Sequence, residues 1–341
     1  MISLVLLAGL LLCQPVYLAA LDKTIYGSDG RLDFFQVTDP VQRRVMDSAV
    51  SLFKSPPSLV CDGEYCRFGG WILGTEARRM CPGERFFTQK TAAFCSGTLI
   101  APDLVLTAGH CMEAAGEEAG RCFLTKFIFG HSIAVDGDQP GLIRVSEIYS
   151  CKGKVLFAFG EGRDYAVLRL DRPVTGHKPA QVDFSPARAG TEIFTIGGPY
   201  GLPLKVLGGG VIRSVDAARG VMYTNLDSSG GNSGGGVFSA VTGKVVGLHV
   251  ASADPDLVEV PLPANHGLPA TDRRVIEGKC KTAAAFSAGG GYGKKAVLVP
   301  AVQGLQALLG GGASVGADTG LKNFDFSADP ELVLEMEANL R

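Results

Sequence analysis

The chain has 341 residues and a formal net charge of -2, and it contains 46 glycines. A chain of this length can bury a substantial core without a metal or a partner. The chain is nearly neutral, and its sequence has no basic stripe for nucleic acid and no polybasic segment for anionic lipid. Nucleic acid and anionic membranes are therefore excluded as expected partners. Abundant glycine with recurring strand-type alternation favours a turn-rich β protein.

The first twenty residues carry no charged side chain. Residues 2–12 are apolar, and the small residues Ala19 and Ala20 follow, which predicts a signal peptide over 1–20. A buried N-terminal helix is the alternative interpretation, because the run is too short to span a membrane. Cleavage would remove Cys13 and leave an even number of cysteines, which suits disulfides in an oxidising compartment. We therefore expect a secreted or periplasmic protein that is free of the membrane after cleavage.

Residues 21–47 form a polar lead-in or propeptide, and 48–53 predict a first strand. The stretch 55–91 is rich in Pro, Gly, Cys and charge, which indicates an insertion held by disulfides. Its cysteines have no C-x-x-C pair or His/Cys ligand spacing, so we expect no metal site, and no motif implies a cofactor. Further strands are predicted over 94–99, 104–107, 122–129, 142–148 and 165–170.

A linker over 171–190 separates this strand set from a second one. The second set is predicted over 192–196, 210–215, 221–225, 235–238 and 245–250. Residues 297–309 have helix-compatible apolar spacing, and 310–341 form a Gly-rich linker and an acidic tail. Two sets of short strands predict an all-β fold with one barrel over 48–180 and a second barrel with a C-terminal helix over 181–309.

Residues 231–235 read Gly-Asn-Ser-Gly-Gly, which is the strongest chemical signal in the chain. A serine nucleophile needs a base and oxyanion donors, and flanking glycines let the backbone present its N–H groups. Gly231 and Ser233 are the natural pair of oxyanion donors. Taken alone, the segment fits a Gly/Ser hairpin turn equally well.

Two further segments carry a possible base and its partner. His110 lies in Thr-Ala-Gly-His-Cys after an apolar strand, and Asp164 opens the strand Asp-Tyr-Ala-Val-Leu-Arg-Leu. A semi-buried carboxylate there can accept a hydrogen bond from a histidine N–H. Taken singly, a histidine or an aspartate in such a position is more often structural than catalytic. The order His, Asp, Ser across the two strand sets is a more specific signal of catalysis than any one of them.

These three motifs, over about residues 45–255, resemble the chymotrypsin-like serine peptidases. The resemblance implies a double β-barrel with a C-terminal helix and a Gly-rich tail, and the triad His110, Asp164 and Ser233. It also implies a disulfide between Cys95 and Cys111 beside the catalytic histidine. The sequence departs from the family pattern at Gly109 and Gly236, where Ala and Pro are common, and the extra glycine at 236 would loosen the nucleophile loop.

Within the family, the chain looks most similar to the bacterial branch with the glutamyl endopeptidases. Asn232 stands where trypsin-like enzymes have an Asp that pairs with a freshly cut N-terminus. A neutral amide cannot form that ion pair, so we expect no dependence on a cut before Ile25.

P1 is the substrate residue directly before the scissile bond. The resemblance supports two interpretations of which P1 side chain is preferred. Asp227 and Ser228 correspond to the base and wall of the pocket, which implies Lys or Arg. His249 corresponds to the histidine that binds an acidic P1 side chain in glutamyl endopeptidases, and we weigh acidic P1 slightly higher. Backbone groups then hold an extended substrate as an added strand, and these are expected on Val250, Ala251 and Ser252.

The expected function is a monomeric endopeptidase that hydrolyses polypeptide substrates. The alternative is a non-catalytic homologue that binds peptides or partners through the same cleft. An activated serine distinguishes the two.

Overall fold

A computed structural model describes residues 25–55, 59–113, 120–138, 140–160, 162–252 and 254–310. The predicted signal peptide and the tail after Gly310 lie outside the described residues. Residues up to Leu305 belong to one compact unit and 306–341 to a second. Among the described residues, no helix has the length and apolar character needed to cross a bilayer.

The described residues form short strands, numbered here in chain order, and three α-helices. The strands before the linker are β1 (Ile25–Tyr26), β2 (Arg31–Asp33), β3 (Ala49–Lys54), β4 (Leu59–Asp62), β5 (Tyr65–Phe68), β6 (Trp71–Ile72), β7 (Lys90–Thr91), β8 (Cys95–Ala101), β9 (Leu104–Thr107), β10 (Thr125–Ile128), β11 (Leu142–Arg144), β12 (Ile148–Gly160) and β13 (Arg163–Leu170). The strands after it are β14 (Glu192–Gly197), β15 (Lys205–Asp216), β16 (Val221–Thr224), β17 (Gly236–Ser239), β18 (Val245–Ser252), β19 (Leu257–Pro261), β20 (Lys279–Ala283), β21 (Ala285–Phe286) and β22 (Lys294–Leu298). The helices are α1 (Pro40–Val45), α2 (Arg273–Glu277) and α3 (Leu305–Gly310).

The first barrel closes through six strands in the order β10-β12-β13-β9-β8-β3. β13 is nearly all buried because it pairs with both β9 and β12. Leu52, Leu99, Phe127 and Leu168 are among the fully buried side chains of this barrel. Because both faces of β13 are buried, its central residues form a continuous apolar run and do not alternate with polar ones.

The second barrel has the order β14-β17-β18-β22-β16-β15 and closes through pairing of β14 with β15. Its core packs Ile193, Ile212, Met222, Val237 and Leu298 together. Two closed six-stranded barrels confirm the chymotrypsin-like double β-barrel that the sequence predicts.

Part of the predicted lead-in is built into the second barrel. β2 pairs antiparallel with β15, and β1 pairs parallel with β21. Gln89 bridges β2 and β15, because its Nε2 donates to Asp33 and its Oε1 accepts from the buried Lys205 Nζ, which also contacts Asp33.

Disulfides tie the cysteine-rich insertion to the rest of the fold. Cys61–Cys66 closes the β4–β5 hairpin, and Cys81–Cys280 joins the insertion to β20. Cys122–Cys151 reaches β12 within the first barrel, and Cys95–Cys111 joins β8 to the turn after β9.

The region predicted as a helix over 297–309 is divided between a strand and a shorter helix. Val297 and Leu298 end β22, which fills the gap between β18 and β16 in the second barrel. A 3₁₀ turn over Val299–Ala301 follows, and α3 begins only at Leu305. Pairing on both sides determines the conformation of this apolar segment, which the sequence pattern alone does not specify.

Candidate active site

His110, Asp164 and Ser233 are carried by three structural elements that meet where the two barrels adjoin. His110 lies in a 3₁₀ turn over Gly109–Cys111, directly after β9. Asp164 is the second residue of β13, the neighbour of β9 in the first barrel. Ser233 lies in the loop between β16 and β17 of the second barrel.

His110 and Asp164 are joined by two hydrogen bonds. The Nδ1 atom of His110 lies 2.8 Å from Asp164 Oδ2, and the backbone N–H of His110 donates to Asp164 Oδ1 at 2.9 Å. An ionised carboxylate only accepts hydrogen bonds, so Nδ1 carries the proton. Nε2 of the neutral ring is then an acceptor, which is the state that a general base needs.

Gly109 allows this turn to approach the β12–β13 hairpin. An ideal Cβ on Gly109 would lie 2.3 Å from the carbonyl oxygen of Ala158 and 3.0 Å from the nitrogen of Tyr165. The departure from alanine at this position therefore fits the close approach of the hairpin that carries Asp164.

The carbonyl oxygen of Ser233 connects its loop to the first barrel. This oxygen accepts from Ser96 N at 2.8 Å and lies 3.7 Å from Sγ of Cys111, the residue after His110. Because Cys111 is in a disulfide, that contact is a packing contact and not a hydrogen bond. The nucleophile loop is thus fixed beside the turn that carries the base.

Glycines at 231 and 234 are required by the loop conformation. Their φ angles are +97° and +87°, a region that favours glycine. A Cβ on Gly231 would meet Gly198 O at 2.4 Å, and one on Gly234 would meet Thr107 Oγ1 at 2.1 Å. Among the described residues, the N–H groups of Gly231 and Ser233 donate to no protein acceptor, so both remain available to a ligand.

Gly236 takes part in a hydrogen bond that proline cannot make. Its N–H donates to Thr98 Oγ1 at 2.9 Å, and an added Cβ would lie 2.7 Å from that oxygen. The bond fixes the start of β17 against β8.

Asn232 is buried, and within the described part of the chain its amide has no hydrogen-bond partner. Ile25 N donates instead to Ala284 O, and Tyr26 N donates to Asp227. The N-terminal segment is therefore held by groups other than Asn232.

A cavity of about 270 Å³ opens beside Ser233. It is lined by Ser229, Gly230, Ser233, His249, Ala251, Ser252, Asp254 and Asp256. Of the residues predicted for substrate binding, His249, Ala251 and Ser252 lie at this cavity. The side chain of Val250 is buried and does not line the cavity.

His249 is the polar side chain buried most deeply in this cavity. Its Nε2 lies 3.3 Å from Oγ of Ser228, the residue predicted to form the wall of the P1 pocket. Burial, with the positive charge of Lys294 and the nearby His110, lowers the pKa of His249 to about 3. The ring is therefore uncharged at neutral pH.

Asp227 faces a different cavity, which Tyr26, Ser28 and Gly30 also line. Its Oδ1 accepts from Tyr26 N at 2.7 Å and its Oδ2 from Gly30 N at 2.8 Å. Burial raises the pKa of Asp227 to about 6 despite these two bonds. The structure thus does not bring this carboxylate to the cavity beside Ser233.

Three charged residues near the cavity were not singled out from the sequence. Asp254 and Asp256 follow β18, and Lys294 begins β22 beneath them. The two acids flanking Pro255 were a readable signal, because acidic residues directly after a substrate-binding strand face the same cleft. Lys294 carried no such signal, because no strand was predicted over the segment in which it begins β22.

Cys95, His110 and Cys111 are the group whose potential ligand atoms approach within 4.8 Å of one another in the described residues. The two sulfurs form a disulfide, so they offer no thiolate to a metal ion.

Residues 95–248 match the family model of the trypsin-like peptidase domain. The chain is 34% identical over 82 residues to brachyurin of Leptuca pugilator, covering 24% of this chain and 33% of that protein. It is 32% identical over 105 residues to a trypsin-like protease of Streptomyces glaucescens, covering 30% of this chain and 35% of that one. The chain thus spans about a third of the length of these curated relatives.

Among solved structures, the chain is similar to a Glu endopeptidase in complex with MPD. That likeness has 16% identity and a TM-score of 0.41, and it covers 77% of this chain and 94% of the other.

Proposed function

We propose that the chain is a secreted serine endopeptidase with His110, Asp164 and Ser233 as its catalytic triad. The observation that carries this proposal is the doubly bonded pair of His110 and Asp164, fixed beside the loop that bears Ser233. The proposed substrates are polypeptides, and no cofactor or metal takes part.

In the proposed reaction, His110 Nε2 takes the proton of Ser233 as the hydroxyl oxygen attacks the scissile carbonyl. Asp164 keeps the Nδ1–H tautomer and stabilises the imidazolium that forms. His110 then gives the proton to the leaving amine, and a water molecule repeats the sequence to release the acyl group from Ser233. The oxyanion is bound by the N–H groups of Gly231 and Ser233, which have no protein acceptor among the described residues.

We propose a P1 preference for Glu or Asp over Lys or Arg. His249 lies in the cavity beside Ser233, and an uncharged imidazole there can donate one N–H to a carboxylate. The interpretation in favour of Lys or Arg depended on Asp227, which is engaged by Tyr26 and Gly30. Val250, Ala251 and Ser252 at the end of β18 offer backbone groups to an extended substrate.

Secretion is proposed from the predicted signal peptide over 1–20 and from the four disulfides, which persist in oxidising compartments. Expression of the full chain in a host with a secretory pathway should release a protein that begins near Leu21. Retention of residues 1–20 in the mature protein would contradict this part of the proposal.

A fluorescent fluorophosphonate tests the catalytic proposal, because only an activated serine reacts with it. The secreted protein should be labelled, and Ser233→Ala should not. Ser214→Ala is the matched control, since Ser214 is exposed on β15 and should leave labelling unchanged. Asp164→Asn should slow labelling by about 10³–10⁴-fold through the wrong histidine tautomer. A folded wild-type protein that is not labelled would favour the non-catalytic, peptide-binding alternative.

A further inference from the structure

Asp256 spans the mouth of the cavity beside Ser233. Its Oδ2 accepts from Gly230 N at 2.5 Å, and its Oδ1 lies 3.6 Å from Lys294 Nζ. Its backbone carbonyl accepts from Tyr200 Oη at 3.0 Å. A carboxylate of the chain itself thus lies between the nucleophile loop and a buried cation.

Lys294 is completely buried at the start of β22. Its Nζ donates to Ser252 Oγ at 2.5 Å, so the ammonium group lies directly behind a cavity-lining residue. Burial lowers the pKa of Lys294, and the carboxylates of Asp256 and Asp254 oppose that effect. A buried ammonium is costly without a paired anion, which explains why a carboxylate lies against it.

Asp254 and Asp256 differ in how the chain holds them. Asp254 accepts from Tyr26 Oη at 2.6 Å, from Tyr292 N at 3.1 Å and from Gly293 N at 3.0 Å, which fixes it as part of the wall. Asp256 is 29% exposed and lies in the loop between β18 and β19.

We propose that Asp256 occupies the place of the substrate's P1 carboxylate, and that Lys294 is the residue that selects an acidic P1 side chain. The inference rests on the proposed function and deepens it. A Glu side chain entering the cavity displaces the Asp256 carboxylate and takes over its contacts with Gly230 N–H and Lys294 Nζ. The displaced Asp256 is then hydrated at the rim.

This assignment resolves a difficulty with His249 as the reader of acidic side chains. An uncharged imidazole supplies a hydrogen bond but no net attraction for a carboxylate. Lys294 supplies the positive charge that the pocket otherwise lacks. A P1 lysine would meet Asp256 at the rim but would bring a second ammonium toward Lys294, which disfavours deep insertion.

The test compares peptides that are identical except for Glu, Gln or Lys at P1. Lys294→Met should lower the ratio of kcat/KM for Glu to that for Gln by about tenfold or more, because a charged partner of the carboxylate is lost. Lys295→Met is the matched control: this neighbouring lysine is on the opposite side of β22 and should leave the ratio unchanged. Asp256→Asn should raise kcat/KM for Glu severalfold by removing the competing carboxylate, with a smaller effect on Gln.

Each outcome decides a different point. Fluorophosphonate labelling and cleavage after Gln report on the catalytic centre, so their presence with an unchanged Glu-to-Gln ratio in Lys294→Met overturns this inference alone. A fall in kcat/KM for Glu in Asp256→Asn also overturns it, because Asp256 would then assist an acidic P1 side chain and not compete with it. If Lys294→Met does not fold, Asp256→Asn carries the decision. A wild-type protein that neither labels nor cleaves overturns this inference together with the proposed function.

Discussion

The burial of His249 determines which pH effects it can produce. Because its pKa is about 3, its charge does not change between about pH 5 and 8, where an ordinary histidine titrates. The pH profile of kcat/KM reports ionisations of the free enzyme. We expect His249→Gln to lower kcat/KM for Glu substrates without moving that profile.

The measurement is kcat/KM across this pH range for wild type, His249→Gln and His177→Gln. His177 lies away from the cleft, where its Nε2 contacts Glu147 Oε2 at 2.7 Å, so it controls for loss of any histidine. A shift in the acidic limb confined to His249→Gln would show that His249 does titrate in the free enzyme.

Gly109 provides a second test at the residue scale. Gly109→Ala should cost about 1–3 kcal/mol of unfolding free energy, since its Cβ overlaps the carbonyl of Ala158. Gly153→Ala in β12 is the matched control, because a Cβ there meets nothing within 4 Å. Denaturant unfolding of both variants measures the difference, and equal stabilities would contradict the clash.

The candidate triad could be predicted from sequence because each member lies in a short motif whose local chemistry is readable. The contacts around the cavity could not. Asp227 meets Tyr26, which is 201 positions away, and Lys294 meets Ser252 across 42 positions. Such pairs are created by barrel closure, and no local pattern in one sequence encodes them.

At the scale of elements, the N-terminal segment is attached to the second barrel through one carboxylate. Asp227→Ala removes both acceptors of the N–H groups of Tyr26 and Gly30. We expect faster amide exchange in β1 and β2, with about 2 kcal/mol lost from unfolding. Asp227→Asn keeps one acceptor oxygen, so its free energy of unfolding should lie between those of wild type and Asp227→Ala.

The same variant separates the two interpretations of Asp227. If the residue holds only the N-terminal segment, the ratio of cleavage after Glu to cleavage after Lys should not change in Asp227→Ala. A selective loss of cleavage after Lys would return Asp227 to the base of the P1 pocket.

Activation should not require a new N-terminus at Ile25. Asn232 offers no charge to a new N-terminus, and Ile25 N is bonded to Ala284 O in strand β1. We expect protein that lacks only residues 1–20 to be active against peptide substrates, compared with protein cut before Ile25. Activity that appears only after that cut would contradict this prediction.

Most strands of the first barrel were predictable, but β12 of that barrel and β22 of the second barrel were not. β9 has the bounds 104–107 expected from its apolar run, and β8 lies close to its expected position. β22 was hidden because its residues are buried on both sides and lead into Pro300, a pattern shared by buried helices and strands. Its neighbours on the sheet, which are distant in sequence, decide its conformation.

For the whole molecule, two buried histidines predict a loss of stability in acid. Burial lowers the pKa of both His131 and His249 to about 3. The unfolded chain therefore binds more protons than the folded one, and stability falls as the pH drops from about 6.5 toward 3. Asp227, with its pKa raised to about 6, opposes this trend but is a single group.

Thermal unfolding between pH 4 and 7 tests this prediction. His131→Gln should reduce the acid-induced loss by roughly 1–3 kcal/mol, since no imidazole remains to be protonated on unfolding. His177→Gln should increase the acid-induced loss of stability. Burial lowers the pKa of His177, but the hydrogen bond and charge of Glu147 raise it more, so its pKa lies above the usual value. That stabilisation is present in acid and is lost as the pH rises. Identical slopes for all three proteins would contradict the assignment.

The disulfide between Cys81 and Cys280 also sets an order of events during biosynthesis. The other three disulfides join cysteines only 5, 16 and 29 positions apart, so their partners emerge together as the chain leaves the ribosome or a translocation pore. Cys81 cannot form its disulfide with Cys280 until 199 further residues have appeared. During that interval it can attack the disulfides already formed in the first barrel. If the chain is exported as proposed, its maturation should therefore depend on a thiol isomerase more strongly than its number of cysteines suggests.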